Sequence, residues 1–176
     1  MQRIFLIGFM GAGKTTAGKA LSELMNCSFV DLDYFIERRY RKTIRQIFVE
    51  QGETCFRDIE QKMLREVAEF EDVVISTGGG TPCYHHNMRY MNEKGTTVYL
   101  KVTNSELVRR IGNGKSTRPM LKDFTGEKLA NFVDEMMDKR REFYEQAHVI
   151  VEVEARDIVS DASTLYDCLK SLKSSS

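Results

Sequence analysis

No charge of one sign predominates in this chain of 176 residues, where 26 lysines and arginines face 26 aspartates and glutamates. Duplex nucleic acid is bound through clustered cations, so a net charge of zero argues against it as the main ligand. A small anion needs only a local cluster and stays open. A long apolar run is missing too. The longest, Ile4 to Ala12, is broken by glycines and falls far short of the roughly 20 residues of a membrane helix. Only Arg3 precedes it and no small-residue cleavage site follows, so it does not read as a secretory signal. The four cysteines, at 27, 55, 83 and 168, form no C-x-x-C pair. A cytoplasmic protein with reduced thiols is expected. Internal repeats and low-complexity segments are absent apart from the serine tail at 174–176.

What is present is a hydrophobic share of 41% and a charged share of 30%, which suit one folded domain over 1–176 and exclude global disorder. Five short β-branched or aromatic runs predict buried strands: Ile4–Ile7, Ser28–Asp31, Val73–Ser76, Thr97–Val102 and Val149–Val153. Helical spacing lies between them. Phe56, Ile59, Met63, Val67 and Phe70 make one apolar stripe, and Val159, Ala162, Leu165, Leu169 and Leu172 another. Thr43 with Gln46 has the pattern of a capping box. Strands alternating with helices, and apolar on both faces, predict a parallel sheet covered on both sides. Its ligands should bind beyond the carboxyl ends of the strands.

After the first strand runs Gly8-Phe9-Met10-Gly11-Ala12-Gly13-Lys14-Thr15, which fits G-x-x-x-x-G-K-S/T with a strand before and a helix after. Glycines let backbone N–H groups curl around phosphate oxygens, and the following helix turns its positive end toward them. Lys14 would reach the β and γ phosphates, and the Thr15 hydroxyl could ligate Mg²⁺. As an exposed loop lysine, Lys14 should contribute little to packing. The ATP-binding stretch is thus Gly11, Ala12, Gly13, Lys14, Thr15 and Thr16.

A guanine-reading N-K-x-D motif is lacking. The second strand ends instead in Asp31-Leu32-Asp33, and alternate residues of a strand share a face. One carboxylate near a metal and one near an acceptor hydroxyl suit phosphoryl transfer to an alcohol; alternatively Asp33 caps a helix starting at Tyr34. The third strand leads into Gly78-Gly79-Gly80, either a ligand-facing backbone or a tight turn. Arg57 and Glu60 have the spacing of a surface ion pair, and Arg140 sits in what would ordinarily be a solvated helix face. Gly112 to Pro119 reads as a mobile lid or as an exposed loop. His85, His86 and His148 lack a metal-ligating spacing and read as surface or strand-edge residues.

Taken together, G-F-M-G-A-G-K-T at 8–15, F-V-D-L-D at 29–33, I-F-V-E-Q-G-E-x-x-F-R-x-I-E at 47–60, S-T-G-G-G at 76–80, S-T-R-P-M-L at 116–121 and K-R-x-x-x-Y at 139–144 closely resemble the shikimate kinase family. The resemblance implies a three-layer α/β P-loop fold with a five-stranded parallel sheet, order 2-3-1-4-5, and a mobile lid over 112–124. It implies a monomer that phosphorylates the 3-hydroxyl of shikimate with ATP and Mg²⁺, on the way to chorismate and the aromatic amino acids. Neither nucleic acid nor membrane is an expected partner. Residues 33–60 would form the shikimate-binding region. Arg57 and Arg140 match the residues that hold the substrate carboxylate, Asp33 the catalytic aspartate, and Gly79 a backbone donor. Glu60 would fix Arg57, and Phe48 and Phe56 would wall the acceptor pocket. Asp31, with Thr15, matches the metal site. Arg118 matches the lid arginine that reaches ATP phosphates, and with Asp33 and Lys14 it makes up the catalytic set. Arg110 and Arg156 match residues near the adenine, Arg156 without the proline the family often has there. A gluconate-type or nucleotide kinase on the same fold, and a nucleotide-binding regulator without catalysis, are the alternatives.

Overall fold

A computed structural model describes residues 2–113, 125–153 and 158–174. The chain alternates as expected: β1 (Arg3–Ile7), α1 (Lys14–Met25), β2 (Ser28–Asp31), α2 (Leu32–Tyr40), α3 (Ile44–Val67), β3 (Val73–Ser76), a 3-10 turn (Thr81–Cys83), α4 (Asn87–Lys94), β4 (Thr96–Lys101), α5 (Asn104–Asn113), α6 (Glu127–Tyr144), β5 (Val149–Glu152) and α7 (Ile158–Ser174). The five strands are parallel in the order β2-β3-β1-β4-β5. Helices lie on both sides of the sheet.

The central strands are apolar because both of their faces are covered. Ile4, Phe5, Leu6 and Ile7 are fully buried, as is all of β3. Each such side chain contributes about 1.5–3 kcal/mol relative to exposure. The edge strands β2 and β5 are only partly covered. α7 packs on α1 through Ala162, Leu165 and Leu169, three members of the expected stripe. Phe56, Ile59, Met63 and Val67 are likewise buried along α3. Phe70 departs from that stripe. The helix ends at Val67, and Phe70 lies in the following turn, 41% exposed and edge-on to Phe35.

The capping box at Thr43 forms as the sequence suggests, its hydroxyl accepting from the Gln46 N–H. Asp33 is not a cap. The helix begins one residue after Asp31, whose Oδ1 accepts from the Tyr34 N–H, so Asp31 is the N-cap and Asp33 sits in the first turn. The two carboxylates therefore do not share a strand face; a strand end and a helix start aim them into one cleft. Gly112 and Asn113 belong to α5 rather than to a loop. The rest of the expected lid at 112–124, with Arg118, lies outside the described residues, as does Arg156.

Topology positions the site. From β1 the chain runs outward to β2, returns through β3, then crosses β1 to β4 and β5. The reversal leaves a crevice beside β1 at the carboxyl ends of the strands.

Candidate active site

The loop after β1 forms a concave wall because its glycines take backbone conformations closed to other residues. Gly11 and Gly13 have φ of +86° and +94°, the left-handed region that glycine enters without steric cost. Gly13 is the N-cap of α1, so the first N–H groups of that helix have no partner inside it and face the crevice. Lys14 opens the helix and is buried, with Nζ donating to the carbonyls of Gly8 at 2.8 Å and Phe9 at 2.9 Å. It is not an exposed lysine: the loop grips the ammonium and aims it across its own mouth. Gly11, Gly13, Lys14, Thr15 and Thr16 line a cavity of about 300 Å³, and the opposite wall is Asp31, Asp33 and the segment Ser76–Gly79. Ala12 is buried behind the loop, its N–H donating to the Phe9 carbonyl at 3.1 Å. Arg110 reaches in from α5, with Nη1 3.4 Å from the Ala12 carbonyl and Nε 2.6 Å from Glu106.

Thr15 Oγ1 donates to Asp31 Oδ2 at 2.7 Å. A hydroxyl and a carboxylate side by side at a phosphate loop are the hard oxygen donors that suit Mg²⁺, which usually keeps waters and phosphate oxygens as its other ligands. Among the described residues no cluster of three or more His, Cys, Asp or Glu could hold a metal.

Asp33 faces the same cavity from the start of α2. The residue keeps an edge open to solvent at the mouth of the cleft, while its carboxylate is set back against Gly78, where a Cβ would lie 2.9 Å from Oδ1. Burial, with the charges of Glu60, Asp31 and Glu37, raises its pKa to about 7, against a smaller opposing pull from Lys14. A carboxyl poised near neutrality beside a phosphate site can accept a proton there.

The second half of the site is assembled from distant segments. Arg57 is 9% exposed, and its Nη1 donates to Glu60 Oε2 at 2.9 Å. Glu60, 1% exposed, takes the Thr81 hydroxyl on its other oxygen at 2.7 Å. The pair is thus a buried anchor rather than the surface ion pair its spacing suggests in isolation. Burial opposes the Arg57 charge, and Glu60 and Glu53 together more than offset that, leaving its pKa raised. Arg140 is 8% exposed, buried on the inner face of α6 instead of solvated. The two guanidiniums close on the glycine triplet. A Cβ at Gly80 would lie 2.8 Å from Arg57 Nη1, and one at Gly79 would lie 3.2 Å from Arg140 Nη1. A side chain at Gly80 would displace the Arg57 guanidinium, and one at Gly79 would press on that of Arg140. Arg57 Nε and Arg140 Nη1 are buried donors with no partner among the described residues. Buried N–H groups without a partner are costly, and a bound carboxylate would satisfy both.

Phe48 and Phe56 stack at 4.4 Å beside this clamp, with the Arg57 guanidinium 5.1 Å from the Phe56 ring. Tyr144, the tyrosine of K-R-x-x-x-Y at 139–144, has no role assigned from sequence; its buried hydroxyl donates to the Gly79 carbonyl, and burial holds its pKa well above the usual phenol range. It lies one helical turn beyond Arg140, a same-face spacing that could have drawn attention to it. Glu53, inside the motif at 47–60 but without an assigned role, and Thr81, outside the motifs, hold Arg57 and Glu60. His85 and His148 are exposed; the latter sits at the start of the edge strand β5 with Nδ1 3.3 Å from the Thr97 nitrogen.

A family model described as Shikimate kinase matches residues 10–170. A shikimate kinase of Parabacteroides distasonis is 53% identical over 169 residues, covering 96% of this chain and 98% of that protein. The crystal structure of shikimate kinase from Bacteroides thetaiotaomicron superimposes with a TM-score of 0.93 at 47% identity, covering 96% of this chain and 98% of that one. Shikimate kinase from Acinetobacter baumannii in complex with shikimate gives a TM-score of 0.89 at 32% identity, covering 98% and 95%. With a family model matching residues 10–170 and a relative 53% identical over nearly its whole length, the chain belongs to the shikimate kinase family.

Proposed function

We propose that this protein is an ATP-dependent kinase that transfers the γ-phosphoryl group to the 3-hydroxyl of shikimate, giving shikimate 3-phosphate and ADP in chorismate and aromatic amino-acid biosynthesis. The observation that carries the reading is the pair of unpartnered buried donors, Arg57 Nε and Arg140 Nη1, on guanidiniums that close on the glycine triplet whose Gly78 and Gly79 line the phosphate-loop cavity. A guanidinium fork matches a planar carboxylate. An acceptor that carries a carboxylate and a hydroxyl on one small ring would span from this clamp to Asp33.

The acceptor region 33–60 brings Asp33, Phe48, Phe56, Arg57 and Glu60, and Gly79 and Arg140 complete it from outside. Glu60 holds Arg57 in place while the two arginines bind the carboxylate. Asp33 orients the 3-hydroxyl and takes its proton as the new O–P bond forms. In a loose transition state that proton need not leave early, so positioning carries most of the effect. Lys14 and the N–H groups at the start of α1 bind the β and γ phosphates. Thr15 and Asp31 would hold Mg²⁺, which when bound neutralises charge on the phosphate oxygens. Arg110 flanks the nucleotide side of the loop. Arg118 and Arg156 are proposed to contact ATP from segments outside the described residues. A cytoplasmic monomer is the proposed form; among the described residues no helix is long and apolar enough to cross a membrane.

A coupled ADP-release assay tests the reading. Release that depends on shikimate, and is not supported by gluconate or a nucleoside monophosphate, is the expected result. ADP release equal with and without shikimate would overturn it.

A further inference from the structure

Arg57 is held by more than Glu60. Its Nη2 donates to Glu53 Oε1 at 3.1 Å, and the Tyr84 hydroxyl donates to that same oxygen at 3.1 Å. The Tyr84 ring also covers the guanidinium: Arg57 Cζ lies 4.1 Å from its centroid, closer than Phe56 at 5.1 Å or Phe48 at 5.8 Å. Tyr84 therefore meets Arg57 twice, once through its ring face and once through Glu53. These contacts leave Nε as the buried nitrogen without a partner among the described residues.

The backbone around Tyr84 is built to keep it there. Tyr84 is extended, with φ of −122°, directly after the Thr81–Cys83 turn. His85 and His86 follow with φ of +50° and +56°, a conformation that non-glycine residues rarely take in succession. That turn is tied back to the helix carrying Arg57, since His85 Nε2 lies 3.1 Å from Asp58 Oδ1. The glycine triplet and Tyr84 thus reach Arg57 from one continuous segment, Gly80 beneath the guanidinium and Tyr84 across its face.

We propose that Tyr84 is a positioning residue for the acceptor: its ring and, through Glu53, its hydroxyl fix the rotation of the Arg57 guanidinium so that the Nε edge is presented to the substrate carboxylate. The proposal rests on the carboxylate-bearing acceptor of the preceding section. A long arginine side chain otherwise pays rotamer entropy when it docks a ligand. A cation over an aromatic face is stabilised more strongly as water is excluded, so the stacking should tighten when the acceptor covers the clamp.

The test uses the full chain with Tyr84→Leu, which keeps apolar bulk and removes the aromatic face, and Tyr84→Phe, which keeps the face and removes the hydroxyl. Steady-state kinetics are read with shikimate and with its methyl ester, which lacks the anion. For Tyr84→Leu the KM for shikimate should rise about 5- to 30-fold, the range of a partly desolvated cation–aromatic contact. The kcat and the KM for ATP should stay within about twofold, and Tyr84→Phe should raise the shikimate KM only about 2- to 3-fold, because the hydroxyl bonds the solvent-exposed Glu53 carboxylate and reaches Arg57 only through it. The methyl ester should respond equally weakly to wild type and both variants. With an active wild type, an unchanged shikimate KM in both variants overturns this inference alone. A parallel loss of kcat, ATP affinity and melting temperature overturns it too, because Tyr84 would then be packing. A wild type without shikimate turnover overturns the function and this inference together.

Discussion

The two halves of the site are made in opposite ways. The phosphate half is one continuous stretch, Gly8 to Thr16, in which backbone conformation and the start of α1 would do most of the proposed binding. The acceptor half draws on α3, the glycine triplet and α6, and relies on two buried guanidiniums that converge only after the chain has folded. A phosphate can be held by many weakly polarised N–H groups, so a local loop suffices. A planar carboxylate is read by charged forks at fixed angles, and these need support from several elements. Asp33 lies where the halves meet.

If this division holds, damage should sort by half. The largest effect is expected at the junction. Asp33→Asn should lower kcat by about 10²–10⁴, the range for removing a positioned general base, with ATP affinity little changed. ATP binding that collapses while shikimate affinity is intact would move Asp33 into the metal site. Next comes Lys14→Ala, expected to cost about 10²–10³ in kcat, as for other preorganised charge stabilisers. Because Lys14 is buried against the loop carbonyls, a drop in melting temperature should accompany it. Normal turnover would refute the phosphate-loop assignment. In the acceptor half, Arg140→Lys keeps the charge but not the fork, so the KM for shikimate should rise at least about tenfold with the KM for ATP unchanged. A rise confined to ATP would place Arg140 in the wrong half.

The smallest effect concerns stability. The folded pKa of Asp33, about 7, lies above its unfolded value. The folded state therefore holds a proton that the unfolded state releases. Stability from this group is fully present below the unfolded pKa near 4 and is lost as pH rises through about 7. Asp33→Asn should melt increasingly above wild type from pH 5 to pH 8 and by a constant margin beyond. A margin independent of pH would mean that Asp33 is an ordinary carboxylate.

The same contrast explains what could be read without coordinates. β1, Gly8 to Thr15 and the start of α1 are contiguous, so motif and flanking pattern were enough to place the phosphate loop. Arg57, Glu60, Gly79 and Arg140 each have a bland local explanation, and only their joint resemblance to one family singled them out. Local reading also erred in specific ways. Asp33 was a plausible cap because helix starts favour aspartate, but β2 ends early enough for Asp31 to take that place. Arg140 read as solvated because Asp138, Lys139 and Arg141 surround it in sequence, whereas helical rotation turns it inward beside Val133, Met137 and Tyr144. Tyr144, Glu53, Thr81 and Tyr84 touch other side chains or a carbonyl; Tyr144 and Glu53 stand in the quoted motifs, yet a motif does not say which neighbour a side chain supports.

The most direct measurement is calorimetric titration of shikimate, without nucleotide, into the wild-type, Lys14→Ala and Arg140→Lys proteins. Wild type and Lys14→Ala should bind shikimate alike, and Arg140→Lys should bind at least about tenfold more weakly. Equal binding by all three proteins, or no binding by wild type, would contradict an acceptor site built on the two buried arginines.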